Sequence, residues 1–196
     1  MVTSTLVVVV FIWSLIRPHD YFTWLLEVFP AIIAAIVLAF TYKRFKFTTL
    51  VYWLIGFHMV ILMIGGHYTY AEVPLFNWIR DTFSTGRNSY DKVGHFAQGF
   101  VPALVAREFL LRRSSLQRGR LLFFIVVCIC LAISAAYELV EWGVSEATGS
   151  AGDAFLGTQG DIWDTQKDML TALIGAVCAL ICLPRFHDRQ LAQIED

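Results

Sequence analysis

The sequence predicts an all-α integral membrane bundle of about six transmembrane helices, with a short interfacial helix in the third loop. Three observations carry that expectation. Hydrophobic residues make up 57% of the 196-residue chain and charged residues 16%, with a mean hydropathy of +0.62; ordinary soluble domains have about 45–50% and about 25%. Five segments approach the roughly 20 helical residues needed to cross a hydrocarbon core about 30 Å thick. Loops dense in Lys and Arg alternate with loops nearly free of them, the pattern found around helices that cross a bilayer. No soluble domain, internal repeat or low-complexity stretch interrupts the chain, so residues 1–196 are expected to form a single transmembrane domain.

Residues 3–16 are apolar but short. No basic residue precedes them and no small-residue cleavage pattern follows, so they read as an uncleaved first span and not as a signal peptide. The turn RPHD, with Arg17, His19 and Asp20, leads into a second span over 21–40 that carries Glu27 near its start. A third span over 47–66 runs into GGHYTYAE. Beyond it, VPLFNWIRDTF sets Leu75, Phe76, Ile79 and Phe83 on one helical face and Arg80 and Asp81 elsewhere, the pattern of a helix lying in the interface. Spans four, five and six are expected over 93–111, 121–142 and 166–183. Between the last two, SEATGSAGDAFLGTQG is rich in Gly, Ser, Thr and Ala without helical periodicity and reads as a loop or re-entrant turn.

Charge sets the orientation. With six spans and both termini cytoplasmic, nine basic residues face inward (Lys43, Arg44, Lys46, Arg112, Arg113, Arg118, Arg120, Arg185, Arg189) and four outward (Arg17, Arg80, Arg87, Lys92). Residues 143–165, which contain GDIWD, hold no Lys or Arg and are expected outside. The net charge of -1 and the lack of a basic stripe with interleaved aromatics exclude a nucleic-acid partner.

The polar residues then fall at one depth. At a rise of roughly 1.5 Å per residue, Glu27 lies about 24 Å from Lys43, His95 about 26 Å from Arg112, Glu138 about 27 Å from Arg120, and Asp168 about 26 Å from Arg185. Each is extended along one helix face: Asp91, His95 and Gln98; Ser134, Glu138 and Glu141; Asp161, Asp164, Asp168 and Thr171. A carboxylate inside a bilayer costs roughly 2.5–3.5 kcal/mol unless paired or hydrated, so these side chains need partners or a function. Lys92 and Lys167 are the evident structural partners, but two lysines cannot neutralise six acids. Asp161 and Asp164 also suit a helix N-terminus, where the backbone dipole favours them.

The remaining features have plainer readings. Glu108 and Arg112 form an i, i+4 pair near the inner surface, His58 packs near mid-bilayer, and Cys128, Cys130, Cys178 and Cys182 pack as small hydrophobes without the Cys-x-x-Cys spacing of a zinc site. Trp13, Trp24, Trp142 and Trp163 belong to an interfacial belt.

The runs RPHDYFTWLLEVFP, GGHYTYAEVPL, DKVGHFAQGFVPALVAREFL, AAYELVEW and GTQGDIWDTQKDM together resemble the YjdF family of uncharacterised bacterial inner-membrane proteins. That resemblance implies a multi-pass inner-membrane protein and little about its chemistry. Asp91, Lys92, His95 and Phe96 are also distantly similar to an Asp-Lys-x-x-His-Phe block of VanZ-like membrane proteins. Those proteins tend to carry glutamine where this chain has Glu141 or Trp142, and Asn where it has Asp168, so the extra carboxylates here favour metal binding.

The functional expectation is an outward-facing Asp/Glu/His pocket that binds or acts on an envelope lipid or lipid-linked substrate. His95, Asp91 and Glu138 are the candidate catalytic residues. Glu138, Glu141, Asp164, Asp168 and His95 are candidate ligands for a divalent cation, with His67, Glu27 and Asp161 at the rim. Membrane lipids are the expected surroundings. The alternatives are a proton- or cation-coupled carrier and a non-catalytic membrane scaffold. No Gly-x-Ser-x-Gly elbow, His-Glu-x-x-His pair or P-loop supports a named hydrolase mechanism.

Overall fold

The computed structural model describes residues 2–149, 155 and 157–195. Among them are eight α-helices and no strand: α1 Val2–Leu15, α2 Tyr21–Thr41, α3 Thr49–Tyr68, α4 Pro74–Phe83, α5 Tyr90–Arg113, α6 Arg120–Thr148, α7 Asp164–Cys182 and α8 Pro184–Glu195, with a 3-10 turn at Tyr70–Glu72. Four of them, α2, α3, α6 and α7, are long and apolar enough to cross a membrane by length and composition. The 14-residue α1 is shorter. The 24-residue α5 is long enough but carries Asp91, Lys92, Arg107, Glu108, Arg112 and Arg113. It packs against α3, α6 and α7 at the centre of the bundle, so its neighbours bury much of that polarity.

Local signals explain several helix ends. Asp20 caps α2, its carboxylate accepting from Thr23 N–H at 2.6 Å, and that bond holds the carboxyl below the usual aspartate range. The helix α6 runs to Thr148, so residues 145–148 of the expected loop are helical. Gly143 weakens the helix but Val144, Glu146 and Ala147 sustain it, and Gly149, at φ +60°, ends it in the left-handed conformation that favours glycine. Residues 150–154 and 156 of the same loop lie outside the described residues.

Two larger apolar cores hold the bundle, beside a smaller one of Ile61, Val73, Tyr90 and Ala97. Trp24, Val28, Ala31, Met59 and Leu62 join α2 to α3, and the inner face of α1 packs against them. The other core gathers Val51, Leu104, Val126, Cys130, Ala176 and Ala179 from α3, α5, α6 and α7. The closest crossing is α5 on α7. A Cβ on Gly99 would stand 1.7 Å from the Ala172 carbonyl oxygen, and one on Gly175 2.2 Å from that of Phe96. Only glycine lets these backbones approach so closely, the small-residue packing typical of membrane helices. Outside, Phe29, Ile36, Phe40, Phe57, Phe124, Leu139 and Ile181 are exposed, an apolar surface suited to lipid and too large for water.

One end of the bundle is basic and carries a lock that the sequence reading treated as a helix-end ion pair. Glu108, fully buried, accepts from Thr48 N–H at 2.9 Å, Thr48 Oγ1 at 2.7 Å and Arg112 at 2.8 Å. Its fourth partner is His187 Nε2 at 2.9 Å, on the C-terminal helix α8 that the sequence reading did not anticipate. Arg107 contacts His187 Nδ1 at 2.9 Å. Arginine can only donate, so Nδ1 accepts, Nε2 carries the proton, and the ring is neutral between a cation and an anion. Asp188 accepts from Arg107 and Arg118 at 2.7 and 3.1 Å. Burial works against its charge, but these two bonds hold the carboxyl below the usual aspartate range.

Candidate functional site: an acidic pocket at the other end of the bundle

At the opposite, acidic end, the polar layer is assembled by a short stretch before α5 and another before α7. Asn88, fully buried, donates to Asn77 Oδ1 at 2.8 Å and to the Val73 carbonyl at 3.1 Å, which fixes α4 beside the start of α5. Gln159 clasps the Asn88 backbone on both sides, accepting from its N–H at 3.0 Å and donating to its carbonyl at 2.8 Å. Gly160 (φ +83°) and Gln159 (φ +49°) turn the chain sharply there. The clasp brings Asp161 and Asp164 over Arg87.

Arg87 forks into three aspartates: Asp164 at 2.7 Å, Asp161 at 3.4 Å, and Asp91 one helical turn along. Burial opposes its charge, but the Asp164 hydrogen bond and the nearby Asp91 and Asp168 carboxylates hold its guanidinium above the ordinary arginine range. Lys92 bridges Asp164 at 2.9 Å and Asp168 at 2.7 Å, while Lys167 meets Asp161 at 2.5 Å. Hydrogen bonds from Lys167 and the Trp163 N–H keep the Asp161 carboxyl below its usual range.

Arg87, Lys92 and Lys167, the basic side chains of this layer, are therefore engaged by aspartates. The glutamates are left over. Glu138 is 6% exposed; its Oε1 has no hydrogen-bond donor and lies 3.7 Å from His95 Nδ1. Glu27 and Glu141, 4% and 8% exposed, form neither a hydrogen bond nor an ion pair among the described residues. The hydroxyls of Ser134 and Tyr137 are likewise buried without partners.

His95 sits between two of the acids, with Nε2 3.7 Å from Asp168 Oδ1 and Nδ1 3.0 Å from Gln98 Oε1. The tautomer that donates Nδ1–H to Gln98 Oε1 leaves Nε2 as base or ligand. Ligand atoms of His95, Glu138 and Asp168 lie within 4.8 Å of one another, as do those of Asp91, Asp164 and Asp168. Two ligands about 2.1 Å from one ion are at most about 4.2 Å apart, so the first group needs only a small contraction to hold a cation. Arg87 and Lys92 already fill the second group.

A cavity of about 350 Å³, within the range of small-molecule sites, runs from this layer along the bundle. Glu27, Asp91, His95, Glu141, Asp164 and Asp168 line its polar end. Ala34, Val37, Leu38, Ile55, Val101, Val105 and Ile133 line the rest, with His58 at middle depth. Its walls are α2, α3, α5 and α6, with α7 closing the polar end. Since α2 packs on α3, and α6 on α5 and α7, no extended packed face closes α2 against α6 among the described residues.

Not every candidate gathers here. His67 lies away from the cavity wall, Nδ1 3.1 Å from the Ser14 carbonyl and its ring 4.3 Å from that of Trp13, bracing α1 on α3. Asp161 sits outside the cavity in the Arg87 and Lys167 cluster. The short helix expected in the third loop is present as α4, with Leu75, Trp78 and Phe83 exposed, but none of its residues lines the cavity. Arg87 as the hub, Asn88 and Gln159 were not singled out from sequence. The one available cue to Arg87 was its i, i+4 spacing from Asp91.

A lipid-facing apolar surface around a buried polar centre defines an α-helical membrane protein. The chain belongs to the family described as "Predicted membrane protein (DUF2238)", which matches residues 1–189. It is similar to "Inner membrane protein YjdF" of Escherichia coli (strain K12), with 51% identity over 182 residues that cover 93% of this chain and 87% of that protein. The resemblance to YjdF proteins thus holds along nearly the whole chain. No solved structure matches it.

Proposed function

We propose that this protein takes up an envelope lipid or lipid-linked molecule from the outer side of the inner membrane and presents its polar head to the centre at His95, Glu138 and Asp168. The observation that carries this reading is the continuity of one cavity from a carboxylate layer into an apolar trough between α2 and α6. A headgroup and an acyl chain need those two environments in that order. His95 is placed to act as acid, base or ligand, oriented by Gln98. A divalent cation held by His95, Glu138 and Asp168 would polarise a phosphate or activate water. With His67 elsewhere, the donor set is one imidazole and two carboxylates, a set suited to Mn²⁺ or Zn²⁺.

The carrier reading has less support. Val51, Ala103 and Leu104 form an apolar layer between the acidic pocket and the Glu108–His187 lock. A pure scaffold leaves buried Glu27 and Glu141, which have no hydrogen bond or ion pair among the described residues, without a reason. The likeness of Asp91, Lys92, His95 and Phe96 to VanZ-like proteins adds to this reading only as a resemblance.

Blocking the trough tests it. Ala34→Trp fills the cavity from α2, while Leu139→Trp on the lipid-facing side of α6 serves as control. In native mass spectrometry with dioleoyl lipids, Ala34→Trp is expected to weaken lipid retention about tenfold, or about 1.4 kcal/mol, with the control unchanged. Equal retention by wild type and Ala34→Trp would overturn the proposal.

The reading also places α1, α2, α3, α5, α6 and α7 across the membrane with both termini cytoplasmic. Single cysteines at Ala147 and Ser115, both exposed, in a background without native cysteines, give the check. An impermeant thiol reagent on intact cells is expected to label position 147 and to reach 115 only after permeabilisation. The reverse result would turn the pocket toward the cytoplasm.

A further inference from the structure

We propose that Glu27 and Glu141 receive the ammonium group of a lipid with a primary-amine head. The inference rests on the groove reading above and assigns its ligand a charge. Two buried carboxylates on opposite walls, one from α2 and one from α6, line the groove on the side where no extended helix packing joins α2 to α6 among the described residues. Neither has a hydrogen bond or ion pair among the described residues. Leaving such groups in a low-dielectric setting is costly unless a cation meets them.

No lysine or arginine among the described residues lines the groove, and the three cations of the polar layer are committed to its aspartates. Arg87, Lys92 and Lys167 pair with Asp91, Asp161, Asp164 and Asp168. A purely anionic head entering the groove therefore meets acids that lack a basic partner, and repulsion disfavours it. The rest of the lining suits an amine. Tyr70, Tyr137 and Phe155 bring aromatic rings to this end, and a ring face attracts a cation. The buried Tyr137 hydroxyl has no hydrogen-bond partner among the described residues. It lies within electrostatic range of both glutamates. A primary ammonium offers three donors, and Glu27, Glu141 and the Tyr137 oxygen offer three acceptors.

The test uses the wild-type protein first. Dioleoyl phosphatidylethanolamine, its N-acetylated form without the charge, and dioleoyl phosphatidylglycerol share the same chains. In native mass spectrometry at low salt, the amine lipid is expected to bind at least tenfold more tightly than the other two. Glu27→Gln/Glu141→Gln is expected to bring all three to one affinity. Equal affinity of the three lipids for the wild type overturns the ammonium site, as does a preference that survives the double substitution. Should the double variant fold poorly, the wild-type comparison of the amine with its N-acetylated form decides alone. If Ala34→Trp retains every lipid as well as the wild type does, the groove reading itself fails, which is a separate outcome from loss of headgroup preference.

Discussion

Replacing Arg87 with Met is expected to destabilise the folded protein by about 3–5 kcal/mol, the usual cost of removing one partner from a buried ion pair. The guanidinium side chain is 17% exposed and serves Asp91, Asp161 and Asp164 together. The loss should fall toward the lower bound, because each aspartate keeps a lysine: Asp91 and Asp164 keep Lys92, and Asp161 keeps Lys167. Arg87→Lys should recover only part of it, since an ammonium lacks the planar fork that reaches several carboxylates at once. Adding Asp164→Asn to Arg87→Met should cost less than the sum of the single changes, the signature of a shared network. Unfolding in graded sodium dodecyl sulfate measures each variant. A loss below about 1 kcal/mol for Arg87→Met would place the cluster among exposed surface pairs and remove it as the organiser of the site.

A divalent cation is expected to raise the melting temperature of the wild type. At a hundredfold excess over its dissociation constant, the linkage gain is about 2.7 kcal/mol. Glu138→Gln is the informative substitution. Glu138 pairs with no lysine or arginine and has an unpartnered Oε1; its contacts are His95 at 3.7 Å and the Thr165 side chain, so losing its charge leaves no lysine or arginine without a partner. The variant should melt no lower than the metal-free wild type and should lose the response to Mn²⁺ and Zn²⁺. Asp168→Asn is expected to behave differently, because it also takes a partner from Lys92 at 2.7 Å. A wild type indifferent to both metals, with a destabilised Glu138→Gln, would identify the layer as structural.

The depth of the polar residues was legible in the sequence because helical rise converts numbering to height. Glu27, His95, Glu141, Asp164 and Asp168 do line one cavity, and Glu138 stands beside His95. Rotation about each helix was not legible. His67 shares the height of the site, yet Ser14 holds it away. Which cation meets which acid was also hidden: Arg87 precedes α5 and finds α7 only because Gln159 folds back onto Asn88, a contact between residues 71 positions apart. The helix α8 was missed because Pro184, which suits the first turn of a helix, follows directly on the last apolar run. Its anchor, His187, gains meaning only beside Glu108 and Arg107.

The pairing of α5 with α7 has a consequence for biogenesis. Lys92 is synthesised 76 residues before Asp168, and Arg87 77 residues before Asp164. At roughly 5–20 residues per second, the polar face of α5 waits on the order of 4–15 s for its counter-charges. If α5 crosses the membrane as the proposed topology has it, its polar face lacks these counter-charges over that interval, and the helix is expected to settle only when α7 packs on it at Gly99 and Gly175.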